Sequence, residues 1–222
     1  MALNTLMNTI FKKRSLDSPN RSATLVGPRV PRPSSGWSAM LTHLRSEAGL
    51  RLLDVGPMST SNVNALTAMG HSICMADIVS EAHRERWRIL DAEGEASTRF
   101  DVEGFLQQTM EFNGRTFDVV LLWSTLDYLP DELLEPVIDK LHRTVGPGGK
   151  ILAFFHPPIG GSDEVYYRYH VTESAAVEMQ ETEAFSLQRV SSNRKIEKLF
   201  AAFRSCSFFL GKDSVYEVIV TR

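Results

Sequence analysis

Three aspartates stand at or near the ends of short apolar runs, where a carboxylate can hold a polar ligand. Asp54 lies in Arg51-Leu-Leu-Asp-Val-Gly56, Asp77 closes Ser72-Ile-Cys-Met-Ala-Asp77, and Asp101 closes Thr98-Arg-Phe-Asp101. A fourth run, Phe117-Asp-Val-Val-Leu-Leu-Trp123, ends in an indole. An ionised carboxylate ending a buried strand needs partners. Two vicinal hydroxyls supply a bidentate set, each charged hydrogen bond being worth roughly 1.5–3 kcal/mol. Asp77 is therefore read as the grip on the ribose of a nucleoside-bearing ligand. A different chemistry is available at His156, after the fifth apolar run, and at Asp127, after the fourth. An imidazole can take a proton from a hydroxyl or ammonium group near neutral pH. His170, in a tyrosine-rich stretch, is a further candidate base. Each of these residues also has a structural alternative. Asp54 can bond backbone amides near the crossover, Asp101 can cap a helix starting near Glu103, and a single histidine can be a hydrogen-bonded core residue.

These residues need an alternating scaffold to hold them. Trp37, Met40, Leu41 and Leu44 mark a helix. Strand 51–55, helix 60–69, strand 72–77, helix 80–91, strand 98–101, helix 103–110 and strand 117–123 are then expected in succession. Alternation of this kind predicts an α/β fold, a doubly wound, Rossmann-like sheet that is mostly parallel, with helices on both faces. Ligands of such sheets sit outside the carboxyl ends of the strands, where Gly56, Asp77 and Asp101 would meet. A helix over 131–143, a Gly146-Pro-Gly-Gly149 turn and a fifth strand over 150–155 follow. The region 156–190 reads as a lid-like insertion carrying Tyr166, Tyr167 and Tyr169, with a second strand-like piece at 186–190. A helix over 193–203 precedes two strands, 205–210 and 215–221, whose short connection makes them antiparallel.

Composition bounds the rest. The chain has 222 residues, of which 43% are hydrophobic, enough for one domain with a real core. Its longest apolar run, Val119 to Trp123, is far short of the roughly 20 residues a membrane span needs. The two cysteines, Cys74 and Cys206, both fall in expected strands, which points to reduced thiols in a cytoplasmic protein and away from a disulfide or metal framework. Residues 1–36 hold six basic side chains (Lys12, Lys13, Arg14, Arg21, Arg29, Arg32) against Asp17 alone, so the remainder is acidic. An acidic body disfavours nucleic acid as a partner. In the basic segment Leu3, Leu6, Met7, Ile10 and Phe11 recur at helical spacing, ahead of a Pro/Ser/Gly linker ending at residue 36. A helix docked on its own domain, a membrane-surface contact and a protein contact are all open to it.

Residues 37–222 resemble a class I S-adenosylmethionine-dependent methyltransferase. The resemblance rests on Asp54 and Gly56 after the first strand, Asp77 after the second and Asp101 after the third. Phe117–Trp123 with Leu126-Asp-Tyr-Leu129, Gly146-Pro-Gly-Gly-Lys-Ile-Leu152 and the terminal hairpin complete it. It implies a seven-stranded sheet, S-adenosylmethionine as cofactor, and cofactor contacts at Asp54, Gly56, Pro57, Met58, Asp77, Ile78, Asp101, Val102 and Trp123. Catalytic roles would fall to His156 and Asp127, with no metal. The sequence departs from the family's Gly-x-Gly-x-Gly turn, placing Met58 and Thr60 where the second and third glycines stand, and Met58 adds a Cβ and a long side chain. Ser59, Thr60, Ser61 and Asn62 can still cap the next helix, whose free N–H groups suit a carboxylate. A nicotinamide dehydrogenase would need glycines that Pro57-Met58-Ser59 does not supply. The function expected is methyl transfer to a small-molecule acceptor. The alternatives are a non-catalytic binding or regulatory protein of this fold and a protein methyltransferase recruiting its partner through residues 1–36.

Overall fold

A computed structural model describes residues 27–90, 98–158, 165–211, 213 and 215–222. In chain order the elements are β1 (Val30–Pro33), α1 (Ser35–Ser46), β2 (Arg51–Val55), α2 (Thr60–Ala68), β3 (Ser72–Ala76), α3 (Ile78–Ala82), β4 (Arg88–Leu90), β5 (Thr98–Phe100) and α4 (Val102–Thr109). They continue with β6 (Phe117–Trp123), α5 (Thr125–Tyr128), α6 (Asp131–Thr144), β7 (Val145–Phe155), β8 (Val165–Val171), β9 (Ala176–Ala184), α7 (Asn193–Leu199), β10 (Ser205–Leu210) and β11 (Tyr216–Thr221).

The central sheet runs β10-β11-β7-β6-β2-β3. β3, β2, β6 and β7 are parallel, and β11 and β10 close it as the expected antiparallel hairpin. The parallel strands alternate between two buried faces: Leu52, Val119 and Leu121 point to one, Leu53, Val120 and Leu122 to the other. That explains their continuous apolar runs, since a strand covered on both sides has no solvent face. α1 and α2 cover the first face, and α3 to α7 the second.

Several expectations are corrected. The central sheet has six strands among the described residues, because β5 pairs antiparallel with β4 in a separate ribbon. The helix expected over 80–91 is only α3, followed by a 3-10 turn over Glu85–Trp87 and β4. Arg84 and Arg86 bind Glu81, and the guanidinium of Arg86 lies 4.7 Å from the centre of the Trp87 ring. The glycine turn at 146–149 is absorbed into β7, with Gly148 at φ +77°. The strand expected at 186–190 is displaced to β9. Residues 30–36, expected in a linker, form β1 and the start of α1. The helix expected at Leu3–Phe11 lies outside the described residues.

β8 and β9 form a hairpin, and β1 pairs with the outer edge of β9 to make a second, three-stranded sheet. Two of the four residues of β1 are proline, which an edge strand tolerates. Arg32 anchors this strand to the main sheet. It binds the buried carboxylate of Glu217 on β11, which also accepts from the Ser34 hydroxyl at 2.9 Å and the Gly36 N–H at 2.6 Å. β8 thereby crosses the carboxyl edge of the main sheet. Its Tyr166 joins the core on the α3-to-α7 face, and its Tyr169 and Val171 join the core on the other.

Candidate active site

The carboxyl edge of β2 and β3 brings together most of the residues singled out in the sequence. Asp54 is buried, and both its oxygens are engaged: Trp123 Nε1 donates to one at 2.6 Å and Asn62 Nδ2 to the other at 2.7 Å. Burial pushes its carboxyl up to about 6, and the two donors only partly offset that. The partners are side chains, so the simple reading of Asp54 as a backbone-amide acceptor is replaced by a buried Asn–Asp–Trp relay. Trp123 takes φ +49°, in the left-handed region that costs a residue with a Cβ roughly 1–3 kcal/mol unless its surroundings hold it there. The Asp54 bond and a parallel stack on Tyr169, with ring centres 5.0 Å apart, are what hold it.

Gly56 lies beside the Trp123 indole and the Tyr166 hydroxyl. A Cβ on it would meet Trp123 Cδ1 at 3.3 Å and the Tyr166 hydroxyl at 3.7 Å. Pro57 is buried, whereas Met58 is 69% exposed and turns away from the site. The bulk added at the second glycine position therefore stands outside the hollow.

Beside Gly56, Ser59 caps α2 by accepting from the Asn62 N–H, as the Ser/Thr/Asn cluster foretold. The same end of α2 is bound by β8. The Ser59 and Ser61 hydroxyls meet His170 Nδ1 at 2.8 and 2.9 Å. Asn62 donates to the Tyr169 carbonyl and accepts from the Val171 N–H. His170 Nε2 faces Gln180 Oε1 at 3.0 Å, so Nε2 carries the proton and Nδ1 accepts; with both nitrogens engaged, His170 is a positioning residue here.

Asp77 ends β3 and caps α3, accepting from the Ser80 N–H and hydroxyl. Tyr166 and Arg168 of β8 are near enough to feel its charge. Burial first, and then the charges of Asp77 and Asp54, push the Tyr166 phenol well above its ordinary value. Burial lowers the Arg168 guanidinium, with Asp77 opposing, and its Nε is buried without a partner among the described residues. Two further candidates have structural roles. Ile78 is fully buried and packs in the core on the α3-to-α7 face. Asp101, at the end of the separate β4–β5 ribbon, accepts from the Gly104 N–H as the cap of α4, with Val102 beginning that helix; capping is what the structure shows for it.

His156 and Asp127, distant in sequence, form a dyad. Asp127 Oδ2 accepts from the His156 backbone N–H at 2.7 Å and from its Nδ1 at 2.8 Å. Asp127 is fully buried, which raises its carboxyl above the usual range while His156 pulls it back, and Oδ1 has no partner among the described residues. With Nδ1–H given to Asp127, a neutral His156 presents the Nε2 lone pair, the arrangement of an oriented proton acceptor. Backbone N–H groups of Gln188 and Arg189 bind the Asp127 carbonyl, and that of Ser191 binds the His156 carbonyl. A groove of about 620 Å³ runs from this segment between α6 and α7, floored by Leu134, Ile138, Phe155 and Leu199. Tyr128 connects dyad and crevice, its ring edge-on to His156 and 5.0 Å from that of Tyr166.

Sequence reading missed Asn62 as a partner of Asp54, eight residues away across the β2–α2 turn, and Arg168 as a cation that feels the charge of Asp77, which depends on where β8 lands. Asp54, Gly56 and the start of α2 offer an adenosyl cofactor an acid, a bare backbone surface and free N–H groups, while Trp123 Cδ1 and the Tyr166 hydroxyl stand close against that surface, 3.3 and 3.7 Å from where a Cβ on Gly56 would lie. Among the described residues no cluster of three His, Cys, Asp or Glu side chains is set to hold a metal, and no helix is long and apolar enough to cross a membrane.

Comparison with known proteins adds to this geometry. No curated protein matches the chain. Among solved structures, the chain is similar to 1,6-didemethyltoxoflavin-N1-methyltransferase of Burkholderia thailandensis, solved with 1,6-didemethyltoxoflavin and S-adenosylhomocysteine, at 11% identity and TM-score 0.49, covering 85% of this chain and 79% of that one. It is also similar to S-adenosylmethionine-dependent methyltransferases of Mesorhizobium loti (14%, TM-score 0.49, 85% and 98% covered) and Methanosarcina mazei (17%, TM-score 0.48, 82% and 96% covered). Residues 32–158, more than half of the chain, match the family described as methyltransferase domain. The chain belongs to that family, and with it to the class I S-adenosylmethionine-dependent methyltransferases.

Proposed function

We propose that this protein transfers a methyl group from S-adenosylmethionine to a small-molecule acceptor, with His156 as the proton acceptor and Asp127 as the residue that orients it. The observation that carries the reading is the dyad, a buried carboxylate holding Nδ1 at 2.8 Å; the groove lined by Gln188, Arg189 and Ser191, whose N–H groups bind the dyad's carbonyls, has a volume that suits a small organic molecule. Bound cofactor supplies an already electrophilic methyl group, so the chain's own task is to position the acceptor and remove its proton. A mixed lining favours an acceptor with an apolar body and a polar group: Leu134, Phe155 and Leu199 are apolar, whereas Lys195 and Asp139 are charged.

The test is incubation with methyl-labelled S-adenosylmethionine and a deproteinised cell extract. Label should enter small molecules, and His156→Asn should lower the rate by roughly 10²–10⁴, the usual contribution of a general base. Label entering a protein band instead would select the reading in which residues 1–36 recruit a protein. A second reading, a non-catalytic protein that keeps this fold for binding or regulation, is favoured by one observation, the rings of Trp123 and Tyr166 over Gly56. It predicts no label in either fraction.

A further inference from the structure

We propose that strand β8 is a built-in competitor for the cofactor groove, so that S-adenosylmethionine enters only when Tyr166 and the segment behind it leave Gly56. This deepens the methyl-transfer reading and rests on it.

Three of the anchors the groove offers, Gly56, Asp54 and the start of α2, are engaged by β8, by a ring stacked on it, or by a side chain that β8 binds. The face of Gly56 is covered by Trp123 and the Tyr166 hydroxyl. The acid on β2 has one oxygen on Trp123 and the other on Asn62, and Asn62 in turn holds β8 through the Tyr169 carbonyl and the Val171 N–H. The start of α2, where free N–H groups would receive a carboxylate, is bound by His170 through Ser59 and Ser61. The acid on β3 is bound within its own segment by the Ser80 N–H and hydroxyl, and its charge is felt by Arg168 of β8. Tyr166 also spans the gap between crevice and dyad, hydrogen-bonded to Thr125 at 3.2 Å and packed on the ring of Tyr128 that meets His156. Withdrawal of this one side chain would remove one of the two groups over Gly56 and open the space between the crevice and the dyad.

Two features mark the closed arrangement as one that can open. Trp123 is held at φ +49° by partners that β8 supplies or stabilises, and its backbone would relax if they left. Arg168 Nε is buried without a partner, a cost that exposure to water removes. Met58, already in solvent, does not have to move.

The experiment is titration of the full chain with S-adenosylhomocysteine by calorimetry, paired with hydrogen exchange of residues 165–171 with and without saturating ligand. Tyr166→Ala should bind at least about tenfold tighter than wild type, about 1.4 kcal/mol. In the wild type, ligand should make the amides of 166–171 exchange faster. Exchange needs no variant, so it decides the matter if Tyr166→Ala does not fold. Ligand binding to the wild type with unchanged or increased protection of 166–171 would overturn the competitor role while leaving methyl transfer standing. Failure of the wild type and a folded opened variant alike to bind S-adenosylhomocysteine would overturn both.

Discussion

Trp123 donates its indole N–H to the buried Asp54 at 2.6 Å while its ring edge lies 3.3 Å from where a Cβ on Gly56 would stand. One side chain thus satisfies the acid of the crevice and occupies the space beside it. Trp123→Phe keeps most of the ring but removes the donor, leaving one oxygen of a fully buried carboxylate unpaired. Such a group costs about 1–3 kcal/mol. Urea denaturation should show a loss of that size, with an unchanged denaturant slope because the core itself remains.

The same carboxylate makes stability depend on pH in a definite direction. Asp54 has its ordinary value of 3.8 when unfolded and about 6 when folded, so between these values the folded state holds the extra proton. Stability from this group is therefore greatest below about pH 4 and falls as pH rises to about 6, by about 3 kcal/mol at 1.36 kcal/mol per pKa unit. Asp54→Asn cannot titrate there. The difference in unfolding free energy between wild type and variant, measured from pH 4 to 7, should carry that slope, and a flat difference would show that Asp54 is ionised throughout.

How much of this was legible in the sequence follows from the range of the interactions. The strands at 51–55 and 117–123 are apolar on both faces, and that is a local signal. Asp101 was readable as a helix cap because its partner, Gly104, is three residues away. The region 84–100 misled because Trp87 turns inward, edge-on to Phe105, and draws Arg86 over its ring, while β4 finds its partner across a connection rather than within a helical turn. The tyrosine-rich stretch with Tyr166, Tyr167 and Tyr169 announced a lid-like insertion but not its destination. Contacts such as Ser59 with His170 join residues 111 apart, and nothing in either neighbourhood encodes that meeting.

Arg32 and Glu217 offer a test of what ties β1 to the main sheet. Glu217 is fully buried, and Arg32 is nearly so while also binding Asp213 at 2.6 Å. Removing one member of a buried pair strands the other, so Arg32→Met should cost about 3–5 kcal/mol, whereas Arg32→Met with Glu217→Gln should recover much of it. A double-mutant cycle by thermal or urea unfolding measures the coupling. Independent, additive losses would mean that the Ser34 hydroxyl and Gly36 N–H suffice for Glu217.

Gly56 and Met58, two residues apart in the loop that departs from the family's glycine pattern, should respond in opposite ways. Met58 is largely in solvent, so Met58→Ala should change stability by no more than roughly 0.5 kcal/mol. Gly56→Ala puts a methyl against Trp123 at a distance tighter than ordinary contact, and the indole cannot give because Asp54 and Tyr169 both hold it. Overpacking of this kind costs roughly 1–3 kcal/mol. The two effects are coupled through the indole, so the penalty of Gly56→Ala should shrink when Trp123→Phe is already present. An equal penalty in both backgrounds, measured by urea unfolding, would mean that the added methyl meets something other than Trp123.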